Sequence, residues 1–318
     1  IAGMINRQFL FGLSACVALG APALAQDAPR VFREAEQAFL ERTSLRAADE
    51  KCGYFTDLER AALTSGQLQA RGSLLRAGFS VYDIELAATE VARFANSQDC
   101  GDAEFMQAVI HLKDAFSAFI GTMVMNFPGR DADWNASRSR WDTWRIVQDG
   151  STPDYMFQFG LLAPRDTNPE DFPASFARPL DNPLIEEPFD LAVDLFLQED
   201  DIAPSTARIL IRDPDKSSEP WLGAVFSGQP GPPPRGITSA YWPRERTVIT
   251  DEDDEDDRRA RFVFDEAAAE AMMQLDPREQ VEIVIQPNPR SGETEPKVLV
   301  VEVGDFAAAW FFARLPAL

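Results

Sequence analysis

Apolar residues recur at helical spacing through the first part of the chain, and this pattern predicts a group of helices. Between residues 30 and 126 the apolar side chains lie three and four positions apart, as one face of an α-helix requires. Residues that commonly cap a helix precede three of these stretches: Thr56, Ser80 and Asp102. Glu59 completes a capping box with Thr56, and Gly78 suits the position that follows a helix end. Because the connections are short, we predict a module of four antiparallel helices.

The pattern changes in the second half to an alternation with a period of two, which is typical of β-strands. The stretches with this pattern are 189–197, 207–211, 261–264, 281–285 and 297–303. Helical spacing returns only over 265–275 and 305–314, so few helices are available to connect parallel strands. We therefore predict the α+β class, with an N-terminal helical bundle followed by a largely antiparallel α+β domain.

The residues between the two patterns have the composition of a linker. Residues 148–153 read QDGSTP, a polar stretch with glycine and proline that disfavours regular structure. A length of 318 residues also suggests about two domains. We expect a helical domain over 26–148 and an antiparallel α+β domain over 149–318, preceded over 1–25 by a signal peptide with a few upstream residues.

The N-terminal residues have the three parts of a secretory signal peptide. A short basic start at 4–7 (MINR) precedes an apolar stretch over 9–24, and a small-residue cleavage motif ends at Ala25. The apolar stretch is shorter than about 20 residues, the length that a membrane-spanning helix needs. We therefore expect a periplasmic or secreted protein, with no transmembrane segment in the mature chain. Lipoprotein processing is the alternative, because LSAC ending at Cys16 resembles a lipobox.

The number and spacing of the cysteines agree with export to an oxidising compartment. The chain has three cysteines, and cleavage after Ala25 removes Cys16 and leaves Cys52 and Cys100. An even pair in an exported protein is most simply a disulfide. A redox-active pair normally has the close spacing of a CxxC motif, which these two residues lack. We therefore predict a structural disulfide, which makes the N-terminal part a disulfide-linked helical bundle.

The region around these cysteines resembles a group of known sequences. The strings KCGYFTDLERAAL, QARGSLLRAG and DCG, between Lys51 and Gly101, are similar to uncharacterised exported proteins of Gram-negative bacteria. The shared positions are the cysteines, several glycines and the ARGxLLRAG string, which serve structure rather than chemistry. The resemblance implies export and the disulfide, and it implies no activity.

Composition and charge exclude several functional classes. The chain has 30 Lys and Arg against 52 Asp and Glu, and its net charge of −22 argues against nucleic-acid binding. His111 is the one histidine, so polyhistidine metal sites are excluded. It lies in a helical stretch, and the chain has no nucleophile motif such as GxSxG, so we predict a helix-face residue rather than a catalytic base. The sequence contains no P-loop, GxGxxG or HExxH motif, and we expect no cofactor.

Carboxylates are the remaining candidates for catalysis. Glycosidases use two carboxyl groups about 5 Å or about 6.5–9.5 Å apart. Two pairs of this kind are Asp190 with Asp194, on one strand face, and Asp213 with Asp215, in one turn. In a chain with 52 acidic residues such pairs arise by chance, so we assign no catalytic residue.

Two functional hypotheses follow from these observations. The leading one is an exported soluble envelope protein that acts as a non-enzymatic binding or structural module. Its partner would be an unknown envelope component or a small ligand. The alternative is a glycan-directed, carboxylate-dependent hydrolase with a cleft between the two domains. A hydrolase needs carboxylates that converge on a concave site, and this requirement separates the two hypotheses.

The most conspicuous local feature is the acidic run DEDDEDD at 251–257. Calcium prefers several oxygen ligands. The residues that could supply them here are Asp251, Asp253, Glu255 and Asp257. The EF-hand pattern fails, since Asp256 occupies the sixth loop position and Phe262 the twelfth. Because adjacent like charges repel each other, we predict a solvated loop rather than a metal site.

A cluster of aromatic and basic residues follows the predicted helices. It consists of Trp134, Arg138, Arg140, Trp141, Trp144 and Arg145. Interleaved aromatic and basic side chains can stack against sugars or bases, which makes a carbohydrate platform one interpretation. We favour the other interpretation, in which the tryptophans seal the interface between the two halves of the protein.

Overall fold

The described residues from 28 to 120 form four helices. The computed structural model describes residues 28–139, 141–163, 184–185, 189–223, 233–250 and 258–316. Its first four helices are α1 (Ala28–Cys52), α2 (Asp57–Arg76), α3 (Val81–Ser97) and α4 (Ala103–Ile120). The predicted caps are confirmed, with Thr56, Ser80 and Asp102 each accepting hydrogen bonds from the first turn of its helix.

The capping box at the start of α2 is complete. The Glu59 amide donates to the Thr56 hydroxyl at 3.3 Å, and the Thr56 amide donates to the Glu59 carboxylate at 2.8 Å. These two bonds satisfy backbone donors that have no partner inside the helix. At the other end of α2, Gly78 has a φ of 91°, the left-handed conformation that glycine adopts without strain.

The predicted disulfide joins Cys52, the last residue of α1, to Cys100, between α3 and α4. Their Cα atoms are 5.6 Å apart, within the usual range for a bridged pair. Hydrogen bonds support the same junction, because the Tyr54 hydroxyl donates to the Cys100 carbonyl at 2.9 Å. The Lys51 ammonium donates to the Gln98 carbonyl at 2.7 Å. The disulfide therefore ties the end of α1 to the loop that positions α4.

The strands of the described residues form two sheets in which every pairing is antiparallel. They are β1 (Val124–Phe127), β2 (Trp134–Ser137), β3 (Trp144–Ser151), β4 (Met156–Leu162), β5 (Leu191–Leu197), β6 (Thr206–Arg212), β7 (Thr238–Tyr241), β8 (Glu245–Thr250), β9 (Arg258–Phe264), β10 (Gln280–Gln286) and β11 (Lys297–Glu302). Sheet A has the order β1-β2-β3-β4-β5-β9-β8, and sheet B has the order β11-β10-β6-β7. The predicted α+β class is confirmed.

Two short helices pack against the sheets, and the second of them also contacts the N-terminal helices. They are α5 (Glu266–Met273) and α6 (Phe306–Ala313). Helix α6 contacts α2 on one side and β1, β2 and β3 of sheet A on the other. Its aromatic residues are buried there, since the Phe306 ring packs on Trp134 and the Trp310 ring packs edge-on against Phe189. One continuous apolar core therefore includes residues of the helices and of both sheets.

The change from helix to strand occurs earlier in the chain than the expected boundary after residue 148. Helix α4 ends at Ile120, and β1 begins at Val124. Residues 148–153 are not a linker, because they form the end of β3 and the turn of the β3–β4 hairpin. The prediction was wrong here because a polar stretch with glycine and proline suits a hairpin turn as well as a linker.

Strand β5 has a period-two sequence, yet both of its faces are buried. It lies between β4 and β9 near the centre of sheet A. One face carries Leu191, Val193 and Leu195 into the core, and the other carries Ala192 and Asp194. Alternation of residue types therefore did not predict the burial of the second face.

None of the helices in the described ranges combines the length and the apolar content needed to cross a membrane.

Candidate functional site

A small cleft lies where the start of α2 meets the end of α6. Its lining residues are Asp57, Arg60, Ala61, Thr64, Leu184, Phe311 and Arg314. Its volume of about 190 Å³ is below the roughly 300–1,000 Å³ of sites that hold drug-sized ligands. The cleft therefore has room for a small molecule only.

Small residues bring α2 and α6 close enough to form the two walls of the cleft. Ala61 and Ala62 of α2 and Ala308 and Ala309 of α6 are all buried in the same core. The Ser65 hydroxyl, on the next turn of α2, donates to the Ala308 carbonyl at 2.8 Å. This bond satisfies a buried hydroxyl and fixes the register of the two helices.

The α2 wall contains an arginine whose charge is already balanced. Arg60 donates from Nε to the Asp49 carboxylate and from Nη1 to the Asp57 carboxylate, both at 2.7 Å. The hydrogen bond to Asp49 is the main reason that the pKa of Arg60 lies above its usual value. Because two carboxylates hold this guanidinium, it contributes little net positive charge to the cleft.

The α6 wall contains an arginine without a carboxylate partner. Arg314 caps the C-terminus of α6, where the helix dipole favours a cation. Its backbone carbonyl accepts from the Ile185 amide at 2.8 Å, and its Nε donates to the Ile185 carbonyl at 3.0 Å. Its two terminal nitrogens form no hydrogen bond or ion pair with a described residue. These N–H groups are therefore available to an anion in the cleft.

Apolar surface lies beside this cation. Leu184 and Phe311 line the cleft and are partly buried against the main core. Thr64 places a hydroxyl on the same wall as Ala61, although that hydroxyl donates to the Arg60 carbonyl at 2.8 Å. The cleft thus combines a free guanidinium with an apolar patch, which suits a small ligand that has an anionic end and an apolar body.

The carboxylates singled out from the sequence do not line this cleft. On sheet A, Asp190 is paired with Arg244, and the buried Asp194 accepts two hydrogen bonds from Arg261 at 2.7 and 2.6 Å. The Asp194 oxygens are therefore committed to an ion pair within the sheet. Both carboxylates of this pair are thus engaged by arginines, which does not suit the acid and nucleophile roles that glycoside hydrolysis needs.

The second carboxylate pair lies on sheet B, in the turn after β6. Asp213 accepts hydrogen bonds from the Ser239 hydroxyl at 2.7 Å and from the Asp215 amide at 3.0 Å, and it is 3.0 Å from the Lys216 ammonium. The bonds from Ser239 and Lys216 lower the pKa of Asp213 to about 2. Asp215 is exposed. The two pairs therefore lie on different sheets and share no concave site.

Of the three tryptophans in the aromatic and basic cluster, Trp134 fits the sealing interpretation because it lies in the core shared with the helices, whereas Trp144 packs with Leu162, Ala192 and Val263 in a separate cluster of sheet A. The Trp134 indole is buried against Phe306 of α6 and donates to the Val303 carbonyl at 2.8 Å. Trp144 is also buried, whereas Trp141 is exposed. Arg140 lies outside the described residues. A flat stacking platform is therefore not formed by these tryptophans.

The two described arginines of this cluster are buried as well. Arg138 donates to the carbonyls of Ile120, Thr122 and Pro316, at the ends of α4 and α6. Burial lowers its pKa to about 10. Arg145 is buried beside it and donates weakly, at 3.4 Å, to the Ser137 carbonyl. Arg138 thus neutralises the negative ends of two helix dipoles, which is a structural role.

The remaining sequence candidates do not form a site in the described residues. His111 is exposed on α4, as predicted. The acidic run at 251–257, with Asp251, Asp253, Glu255 and Asp257, lies outside the described residues, as do Cys16 and Ala25. Elsewhere, the described chain has no group of three or more His, Cys, Asp or Glu side chains placed to hold a metal ion.

Sequence reasoning did not identify Arg60, Thr64 or Arg314 as site residues. They come from opposite ends of the chain and form no local motif. The one signal that could have pointed to Arg314 is a basic residue directly after an apolar helix, and that pattern is common at helix ends.

Comparisons of this chain with protein-family models, with curated proteins and with solved structures found no match.

Proposed function

We propose that this protein is an exported, non-enzymatic binding protein of the bacterial envelope. It takes a small ligand with an anionic end and an apolar body into the cleft between α2 and α6. The observation that carries this proposal is Arg314, a cation at the cleft whose terminal nitrogens have no partner among the described residues.

The chemistry of the lining selects the ligand class. A carboxylate or phosphate can accept charge-assisted hydrogen bonds from the Arg314 guanidinium. Leu184 and Phe311 offer apolar contact beside it. Because Arg60 is held by Asp49 and Asp57, a second anionic group would meet carboxylates rather than a free cation. The proposed ligand therefore carries one anionic group.

The placement of the carboxylates supports binding over hydrolysis. Among the described residues that line the cleft, Asp57 alone has a carboxylate, and it is paired with Arg60. Acid–base hydrolysis of a glycan needs a second carboxyl group facing the same bond. Asp190, Asp194 and Asp213 each have a cationic partner elsewhere in the structure.

Export is supported by the sequence and by the disulfide. Residues 1–25 have the basic start, apolar stretch and cleavage motif of a signal peptide. A disulfide between Cys52 and Cys100 persists in an oxidising compartment such as the periplasm. We therefore place the protein in the periplasm or outside the cell.

Calorimetric titration with three ligands of the same shape tests this function. Benzoate, benzyl alcohol and benzylamine share an aromatic body and differ in the charge at one end. The chain starting at Gln26 should bind benzoate and should not measurably bind the alcohol or the amine. Equal binding of all three ligands, or of none, would contradict the proposal.

A pair of arginine variants locates the binding. Arg314→Gln should weaken benzoate binding by about tenfold or more, because a hydrogen bond to a charged group contributes about 1.5–3 kcal/mol. Arg290→Gln removes the same charge from an exposed turn between β10 and β11 and should leave binding unchanged. If both variants bind benzoate as well as the parent chain does, the cleft is not the site.

A further inference from the structure

The outer face of sheet B, the side turned away from the core, carries several exposed apolar side chains. We define this face by Arg208, Leu210, Trp242, Glu282, Val298 and Val300. Trp242 is 55% exposed, Val298 45% and Val300 47%. The opposite faces of the same strands carry buried residues such as Ile209, Ile283 and Leu299. The exposed valines lie on the edge strand β11, and Trp242 directly follows the other edge strand, β7; the half-buried Arg208, Leu210 and Glu282 lie on the two strands between them.

Glu282 occupies the middle of this face without a cationic partner. It lies on β10, opposite Leu210 of β6 and Val300 of β11. It makes no ion pair or side-chain hydrogen bond with a described residue. Partial burial among these apolar neighbours raises its pKa. The free carboxylate is therefore held at an energetic cost that a cation could relieve.

Arg208 is next to it and also has no carboxylate partner in the described structure. It lies on β6, opposite Val284 of β10, which places it diagonally beside Glu282. Its guanidinium rests over the Trp242 ring, 5.8 Å from the centroid. Its Nε is buried and makes no hydrogen bond. A buried donor without a hydrogen-bond partner is energetically unfavourable.

Several buried carboxylates in the described structure are held by arginines through two hydrogen bonds; examples are Asp194 with Arg261, Glu279 with Arg212 and Asp305 with Arg76. Arg208 and Glu282 are close in register, and neither has a partner of this kind among the described residues.

We propose that a second copy of this chain covers the outer face of sheet B, with Arg208 of each copy paired to Glu282 of the other. The twofold axis lies in the plane of the interface, midway between Arg208 and Glu282. Rotation about this axis brings Arg208 of one copy opposite Glu282 of the other copy, and Glu282 opposite Arg208. The face is thus self-complementary in charge, as an isologous dimer requires. Val298, Val300 and Trp242 of both copies are removed from water around this central pair.

The size of the face sets the expected strength of the dimer. Four strands about 4.8 Å apart, with a rise of about 3.3 Å per residue, present roughly 400 Å² per copy. The total of roughly 800 Å² is below that of most stable interfaces, so a reversible dimer with a micromolar dissociation constant is expected.

Analytical ultracentrifugation with a charge swap tests this inference. The chain from Gln26 should show a reversible monomer–dimer equilibrium between about 1 and about 200 µM, a range that brackets a micromolar dissociation constant. Arg208→Glu and Glu282→Arg should each weaken dimerisation at least about tenfold, because each places like charges opposite one another. The double variant should restore the parent dissociation constant to within a few fold.

A control variant and a folding measurement accompany the charge swap. Arg290→Glu reverses a charge in the exposed turn between β10 and β11 and should dimerise like the parent chain. Circular dichroism should show that every variant is folded. A parent chain that stays monomeric over the whole range, single variants that dimerise normally, or a folded double variant that stays monomeric would each overturn the proposal. None of these outcomes bears on the cleft between α2 and α6.

Discussion

The Arg76 guanidinium at the end of α2 donates two hydrogen bonds to the Asp305 carboxylate at the start of α6, at 2.6 and 2.9 Å. Burial raises the pKa of Asp305, although Arg76 acts against this effect. A Cβ at Gly72 would lie 2.0 Å from an Asp305 oxygen, so only glycine allows this approach. The pair fixes α2 against α6 and thereby sets the distance between the two walls of the cleft.

The first prediction concerns this ion pair. Arg76→Met should lower the free energy of unfolding by about 3–5 kcal/mol, because it leaves the buried Asp305 carboxylate without a partner. Adding Asp305→Asn removes the unpaired charge and should recover part of the loss. Arg71→Met is the matched control on the same helix, since its pair with Glu85 is largely exposed and should cost less than about 1 kcal/mol. Urea unfolding measures all three variants, and equal losses for Arg76→Met and Arg71→Met would contradict the account.

The second prediction concerns the disulfide. Peptide mapping of periplasmic protein under non-reducing conditions should recover Cys52 and Cys100 in one cross-linked species. Replacing both with Ala should lower the free energy of unfolding by about 4 kcal/mol, the chain-entropy estimate for a separation of 48 residues. Reduction of the parent protein should give a similar loss. Two free thiols in periplasmic material would contradict the disulfide and weaken the argument for export.

The third prediction concerns the pH dependence of the turn after β6. The folded-state pKa of Asp213 is about 2 against an ordinary value of 3.8, so its carboxylate stabilises the fold above about pH 4. This contribution is lost as the pH falls from about 4 toward 2. Asp213→Asn should therefore lower the melting temperature near neutral pH, and the difference from the parent chain should shrink as the pH falls below about 4.

Asp215→Asn is the control for this experiment. Asp215 is exposed two positions further along the same turn, and its side chain makes no hydrogen bond to a described residue. Its effect on the melting temperature near neutral pH should be small, because no hydrogen bond of its side chain to a described residue is lost. A difference for Asp213→Asn that stays constant from pH 6 to about 3 would show that Ser239 and Lys216 do not stabilise the ionised carboxylate.

The fold was predictable from sequence where local chemistry decides the structure. Thr56, Ser80 and Asp102 satisfy orphan amides of the helix that each precedes, and this requirement is independent of the rest of the protein. Strand β11 (297–302) and helix α6 (306–313) could also be predicted. The apolar spacing of the strand reflects burial on one side, and that of the helix reflects burial on all sides.

Contacts between residues that are distant in the sequence could not be predicted from local patterns. From the sequence, Asp194 was one member of a possible carboxylate pair with Asp190, but Arg261 reaches it from the neighbouring strand and the Asp194 side chain is fully buried. Residues 148–153 looked like a linker because the turn of a hairpin uses the same residue types. The cleft depends on Thr64 and Arg314, which only the packing of α2 on α6 brings together.

The fourth prediction concerns the absence of turnover. The chain from Gln26, incubated with a panel of cell-wall glycans, peptides and esters, should yield no cleavage product by mass spectrometry. The reason is that the four carboxylates considered for catalysis do not share a concave site. Reproducible cleavage that is lost with Asp190→Asn, Asp194→Asn, Asp213→Asn or Asp215→Asn, in a variant that remains folded, would contradict the binding hypothesis.

The location of ligand binding tests the central claim most directly. Two-dimensional ¹H–¹⁵N spectra of the chain from Gln26, recorded during titration with benzoate, report on each backbone amide. Binding in the cleft between α2 and α6 predicts concentration-dependent shifts of the amides of Asp57, Thr64, Phe311 and Arg314. None of these shifts should occur with benzylamine. Shifts confined to the outer face of sheet B, or no shifts at these four amides at saturating benzoate, would contradict the assignment of the cleft as the binding site.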